Sequence, residues 1–173
     1  MNLSSLNAFN TSAFKTLRML FCLCLLTSLV ACGFQLRGSA SMAFSSIFIQ
    51  GSSLTISKNL LKSLKTNDIK VLSSSENADL LLDLMGEERE KRILSLSGRG
   101  LVNEFELFYR VHYRTKKAGA ELWSPVQTIE ARRDFSYSDA NLLAKQGEEK
   151  RLNENMQADV LSNLIRRLSA LKK

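Results

Sequence analysis

Phe105, Leu107, Tyr109, Val111 and Tyr113 recur at every second position, set against Glu104, Glu106, Arg110, His112 and Arg114. A period of two sends successive side chains to opposite faces, so this stretch predicts a strand with one apolar and one polar face. The constraint reaches beyond the strand itself. A sheet built around it needs cover on one side only, while the other side has to meet water or a hydrated partner.

The rest of the chain supplies the remaining parts of such a sheet. Leu80, Leu82 and Leu84 begin an earlier strand that runs on to Leu96 past Gly86, and Ile129, Ala131, Phe135 and Tyr137 mark a later one. Gly98-Arg99-Gly100 and Lys117-Ala118-Gly119 provide the turns between them, which makes an antiparallel meander. Upstream, Ser46 to Gln50 is a short β-rich run stopped by Gly51. Ile56, Leu60, Leu61 and Leu64 follow at helical spacing, with Lys62 and Lys65 near the end. Ile69 to Leu72 is read as a brief extended stretch that caps the return of the chain. The cover is completed by the C-terminal stripe of Leu152, Met156, Val160, Leu161, Leu164, Ile165, Leu168 and Leu171. The expected fold is α+β, a two-layer sandwich with two helices on one face of a four-stranded mixed sheet, in the order β-α-β-β-β-α.

Residues 1–31 stand apart from this domain. They carry no acidic residue and two cations, Lys15 and Arg18, followed by the apolar run Met19 to Val30 and the small residue Ala31. That order predicts an export signal, and the run is too short for the ~20 residues a spanning helix needs. Leu29-Val30-Ala31-Cys32 resembles the box read by lipoprotein signal peptidase. Cleavage before Cys32 would leave a single mature domain of residues 32–173. Cys22 and Cys24 would depart with the signal, and Cys32 would be the one thiol left, to carry diacylglycerol on sulfur and an acyl chain on nitrogen. The mature part holds more Lys and Arg than Asp and Glu, which favours anionic partners, and export favours lipid over nucleic acid.

Chemistry for catalysis is thin. His112 is the only histidine and sits among arginines on the polar side of its strand, which disfavours a hydrolase triad. One His and one lipidated Cys cannot close a structural zinc site. Glu87, Glu88 and Glu90 are interleaved with Arg89, Lys91 and Arg92, a pattern read as a solvated, charged continuation of the strand. No enzyme, no metal and no cofactor beyond the covalent lipid is expected.

Cys32-Gly33-Phe34-Gln35-Leu36-Arg37-Gly38 resembles the mature N-terminus of the LptE family of lipopolysaccharide-assembly lipoproteins. Asn103-Glu104-Phe105 after a turn and Leu142-Leu143-Ala144-Lys145 before the last helix agree with it. The resemblance implies a lipid-anchored outer-membrane protein that sits one-to-one inside the LptD β-barrel, supports its assembly and helps lipopolysaccharide reach the surface. Gly33, in place of a retaining aspartate, fits outer-membrane delivery. A lipoprotein chaperone or lipid carrier facing the periplasm and bound to no barrel is the alternative, and it would need an apolar cavity.

Chain direction points to one ligand site. Arg99 lies in the first turn of the meander; one strand leaves that end and the next returns to it. Lys145 is therefore expected at the same end, close to the N-terminus of the last helix, where free N–H groups favour an anion. In the LptE family a basic residue in the corresponding turn and a lysine in the corresponding Leu-Ala-Lys stretch are linked to lipopolysaccharide binding. Arg99 and Lys145 are the candidate residues here.

Overall fold

The computed structural model describes Met19 and residues 42–138 and 141–171. The signal cleavage point, Cys32 and the motif of residues 32–38 lie outside the described residues.

Strand β1 (Ser46–Gly51) buries Ile47 completely and ends where Gly51 approaches its neighbour. A Cβ at Gly51 would stand 2.2 Å from the Leu84 carbonyl oxygen, and its φ of 96° lies in the left-handed region, so only glycine fits. Helix α1 (Ser57–Thr66) turns Leu60 and Leu64 into the core, and Ile56, just before its first turn, is buried with them. Leu61 is exposed, on the flank of that stripe.

The structure corrects the strand count. The sheet has five strands, in the order β2-β1-β3-β4-β5, because Lys70–Leu72 forms an edge strand β2 parallel to β1, with Ser46 opposite Lys70 and Phe48 opposite Leu72. Three residues are too few to display a period. What makes them a strand is the row of backbone groups that β1 offers.

Strands β3 (Leu80–Leu96), β4 (Val102–Lys117) and β5 (Gln127–Ser136) form the meander, and β3 also runs parallel to β1 as far as Leu84. Met85 is an extra residue between the pairs Leu84–Tyr113 and Gly86–His112. This bulge shifts the parity of β3. Leu80, Leu82 and Leu84 point into the core before it, and Glu87, Arg89 and Lys91 occupy the helix-side positions after it. The acidic cluster is therefore not uniformly solvated. Glu87 accepts hydrogen bonds from Tyr109 Oη at 2.7 Å and Thr55 N at 2.9 Å, and a further one from the Thr55 hydroxyl. Burial raises its pKa, but the bonds from Thr55 and Tyr109 and the charge of Arg89 outweigh that and hold the carboxyl below its usual range.

Helix α2 (Leu142–Ser169) begins ten residues before the apolar stripe does. Met156, Val160, Leu164 and Leu168 are buried on it against Leu107, Tyr109, Val111, Ile129 and Phe135, in one core that also takes in α1. At ~1.5–3 kcal/mol for each fully buried large apolar side chain, this stripe is the main cover of the sheet. No described helix is long and apolar enough to cross a membrane.

Candidate functional site

The face of the sheet that neither described helix covers is a lattice of paired charges. Arg110 lies at its centre, donating to Glu90 at 2.9 Å and to Glu130 at 2.5 Å. Arg92 meets Glu90 as well, and the guanidinium groups of Arg92 and Arg110 each lie 4.7 Å from the ring centre of Phe108, which is thereby buried on an otherwise polar face. Hydrogen bonds from Arg92 and Arg110 hold Glu90 below the usual carboxylate range. Arg132 pairs with Glu106 at 2.9 Å and Arg114 with Asp83 at 2.8 Å. His112 belongs to the same lattice, with Nδ1 2.9 Å from Thr128 Oγ1 and Nε2 3.3 Å from Glu88. The charges on this face are largely matched one against another. Among the described residues no cluster of three metal-ligating side chains forms.

The end of the sheet at the β3–β4 turn is different. Gly100, with φ of 75°, closes that turn, and Ser97 N donates to Leu101 O at 2.7 Å. Arg99 projects from it exposed, with no ion pair among the described residues. Lys145 reaches the same end from the first turn of α2. Its Nζ donates to Ser136 Oγ at 3.0 Å and pairs with Glu148 at 2.8 Å. Ser136 lies opposite Glu104, and Glu104 opposite Ser95, whose hydroxyl donates to it at 2.6 Å. One row across three strands, about 10 Å wide, thus connects the Lys145 contact to the base of the Arg99 turn. The two candidate cations share an end of the sheet, although Lys145 is tethered by Ser136 and Glu148.

The N-terminus of α2 is open for an anion in the sense that Asn141 makes no side-chain cap and the first turn holds no acidic residue. Lys91 ties the hairpin to α2 through Glu149 at 2.6 Å and lies 4.2 Å above the ring of Phe105, which stacks on Phe135 and meets Tyr137 edge-on.

Sequence reading missed the apolar component of this end. Ile93, Leu94, Leu96 and Leu101 flank the Arg99 turn and are all exposed, as are Leu142 and Leu143 at the start of α2, the latter at 83%. Most of the large apolar side chains exposed among the described residues belong to this end of the sheet. A signal was available in the doublets Ile93-Leu94, Leu101-Val102 and Leu142-Leu143, which break the alternation of the strands and the polar opening of the helix.

Comparisons with known proteins agree with this architecture. The sequence profile of the family described as "LptE: Lipopolysaccharide-assembly" matches residues 44–168. No curated protein sequence matches the chain. Among solved structures, the chain is similar to an uncharacterized lipoprotein B from Nitrosomonas europaea, at 39% identity and a TM-score of 0.69, covering 80% of this chain and 91% of that one. It is also similar to the rare lipoprotein B from Shewanella oneidensis, at 24% identity and a TM-score of 0.65, covering 72% and 94%. A minor lipoprotein from Acinetobacter baumannii shares the fold at 18% identity, with a TM-score of 0.59 over 75% of this chain and 93% of that one. The profile spans all five strands, helix α1 and helix α2 as far as Leu168, and on that ground the chain belongs to the LptE family of lipopolysaccharide-assembly lipoproteins.

Proposed function

We propose that this chain is an outer-membrane lipoprotein whose signal, residues 1–31, is removed before Cys32, and whose domain plugs the LptD β-barrel one-to-one and helps insert lipopolysaccharide at the cell surface. Family membership supports the assembly role. The charge lattice around Arg110 supports the plug, because a domain lodged in the polar interior of a large barrel needs a hydrated, self-neutralised surface there.

The observation that carries the lipopolysaccharide part is the amphiphilic end of the sheet, with Arg99, Lys145 and the uncapped start of α2 beside six exposed apolar side chains. Lipopolysaccharide is itself an amphiphile, with phosphates next to acyl chains. In this reading Arg99 and Lys145 take the phosphates, Lys145 exchanging its contacts with Ser136 and Glu148 for them, and Leu101, Leu142 and Leu143 lie along the chains. The carrier alternative gains nothing comparable, since the covered face of the sheet is filled by its own core.

Charge reversal tests the reading. Arg99→Glu with Lys145→Glu is expected to weaken lipopolysaccharide binding to the purified protein, with far-UV circular dichroism and recovery with the barrel unchanged. Unaltered binding at low and moderate salt would remove the site. Purification from detergent-solubilised outer membrane is expected to bring a stoichiometric barrel, and recovery without one would remove the plug.

A further inference from the structure

The opposite end of the sheet carries a second surface. There β1 starts at Ser46, β3 starts at Leu80, and β4 finishes at Lys117, opposite Leu80. Helix α2 also finishes here, where Leu171 and residues 42–45 line an open recess of about 520 Å³ beside Asp79. Asp79 fixes the path by which the chain reaches β1. It accepts hydrogen bonds from Ser45 N at 2.9 Å, Ser45 Oγ at 2.8 Å and Ser46 N at 2.9 Å. From Met42 back to Cys32 is ten residues, a reach of at most about 35 Å. A lipid on Cys32 therefore keeps this end of the domain near the membrane, whereas the Arg99 turn lies a whole β3 strand away, about 50 Å.

Beside the path of the chain stands the β4–β5 loop. Its two sides are pinned, by Ala118 N to Asp79 O at 2.9 Å and by Ser124 N to Thr115 O at 2.8 Å, returned by Thr115 N to Ser124 Oγ at 3.0 Å. Between those pins the loop presents Leu122, 82% exposed, followed by the half-buried Trp123, with the Arg114 guanidinium 4.8 Å from its ring. Val126 is exposed on the same loop. The ends of β2 and β4 add Lys70, Lys116 and Lys117. Of the acids nearby, Glu121 shares the loop, Asp68 and Glu76 lie in the segments that lead into β2 and β3, and Asp79 is taken up by Ser45 and Ser46.

A single exposed leucine needs no explanation. A Leu-Trp pair on a pinned loop, with lysines at the same end of the sheet where the tether arrives, has the composition of a side that meets lipid: tryptophan favours the headgroup level, and lysines are drawn to an anionic surface. We propose that this end lies against the headgroup layer of an anionic phospholipid membrane, with Leu122 and Trp123 entering the interface and Lys70 and Lys116 meeting lipid phosphates. The inference rests on the reading of Cys32 as the lipid anchor. It gives the two ends separate tasks, one docking to phospholipid and the other taking the amphiphilic ligand.

Trp123 is the only tryptophan of the chain, so its emission is its own reporter. The full lipoprotein, purified in detergent, is reconstituted into vesicles of phosphatidylethanolamine and phosphatidylglycerol, with plain or brominated acyl chains. Trp123 emission is expected to fall by roughly half when the bromines lie near the headgroups, the depth at which interfacial indoles reside. Leu122→Asp and the pair Lys70→Glu with Lys116→Glu are each expected to reduce that quenching. Vesicle flotation separates the two claims. Protein that floats with the vesicles but emits equally in plain and brominated lipid overturns the docking surface and leaves the anchor standing. Protein that fails to float overturns both.

Discussion

Lys145 Nζ donates to Ser136 Oγ at 3.0 Å, and this bond ties the first turn of α2 to the last residue of β5. Through it a helix that does most of its packing further along is registered on the end of the sheet that holds the Arg99 turn.

The same bond lies at the surface and is expected to contribute little to stability. Lys145→Met removes the contacts to both Ser136 and Glu148 and is predicted to cost less than about 1 kcal/mol in urea unfolding. A loss above about 2 kcal/mol, outside the range of exposed pairs, would mean that the substitution disturbs the fold and cannot report on ligand binding.

Stability and ligand binding are expected to separate along α2. Leu164 is fully buried, so Leu164→Ala should cost about 2–5 kcal/mol. Leu143 is 83% exposed, and Leu143→Ala should change stability by no more than about 0.5 kcal/mol while weakening lipopolysaccharide binding. Matched urea titrations and binding isotherms of the two variants check this. Equal stability losses would mean that the start of α2 is packed rather than presented.

Asp79 makes acid stability local. Hydrogen bonds from the Ser45 side chain and N–H, then from Ser46, lower its pKa from the ordinary 3.8 to about 2. With the folded value below the unfolded one, its contribution is fully present above the unfolded pKa and disappears as pH falls from about 3.8 towards about 2. Asp79→Asn should remove that part of the pH dependence of the urea midpoint and leave the profile near neutrality parallel to the parent. An unchanged acid limb in the variant would show that Asp79 does not hold the start of β1.

Much of this architecture is legible in the sequence because burial on one face writes a period. The alternation from Phe105 to Tyr113 corresponds to a row that is half-buried at Phe105 and buried from Leu107 on, and the stripe from Met156 to Leu168 to another buried row. Chain direction alone brings Arg99 and Lys145 to one end, since two antiparallel strands return the chain to where they began. Of strand β2 only the extended stretch at Ile69 to Leu72 was legible and not its place in the sheet, because three residues at an edge are organised by β1 and not by their own side chains. Nor was the inward turn of Glu87, which depends on the extra residue Met85, as a bulge changes the face of everything after it without changing composition. The first ten residues of α2 carry no buried stripe because they run past the core towards the amphiphilic end, so helical periodicity was silent there. The exposed apolar residues around Arg99 escaped for a related reason: the hairpin and the helix start bring them to one end of the sheet, while in sequence they are separate doublets.

A photo-crosslinking amino acid placed at Leu143 or at Leu122 in living cells shows directly which end of the domain captures lipopolysaccharide. Both side chains are exposed, at opposite ends of β4, one beside Lys145 and the other in the loop near Asp79. A lipopolysaccharide adduct is expected from position 143, diminished when Arg99 and Lys145 are both changed to Glu, and none from position 122. An adduct from position 122 with none from position 143 would contradict this expectation.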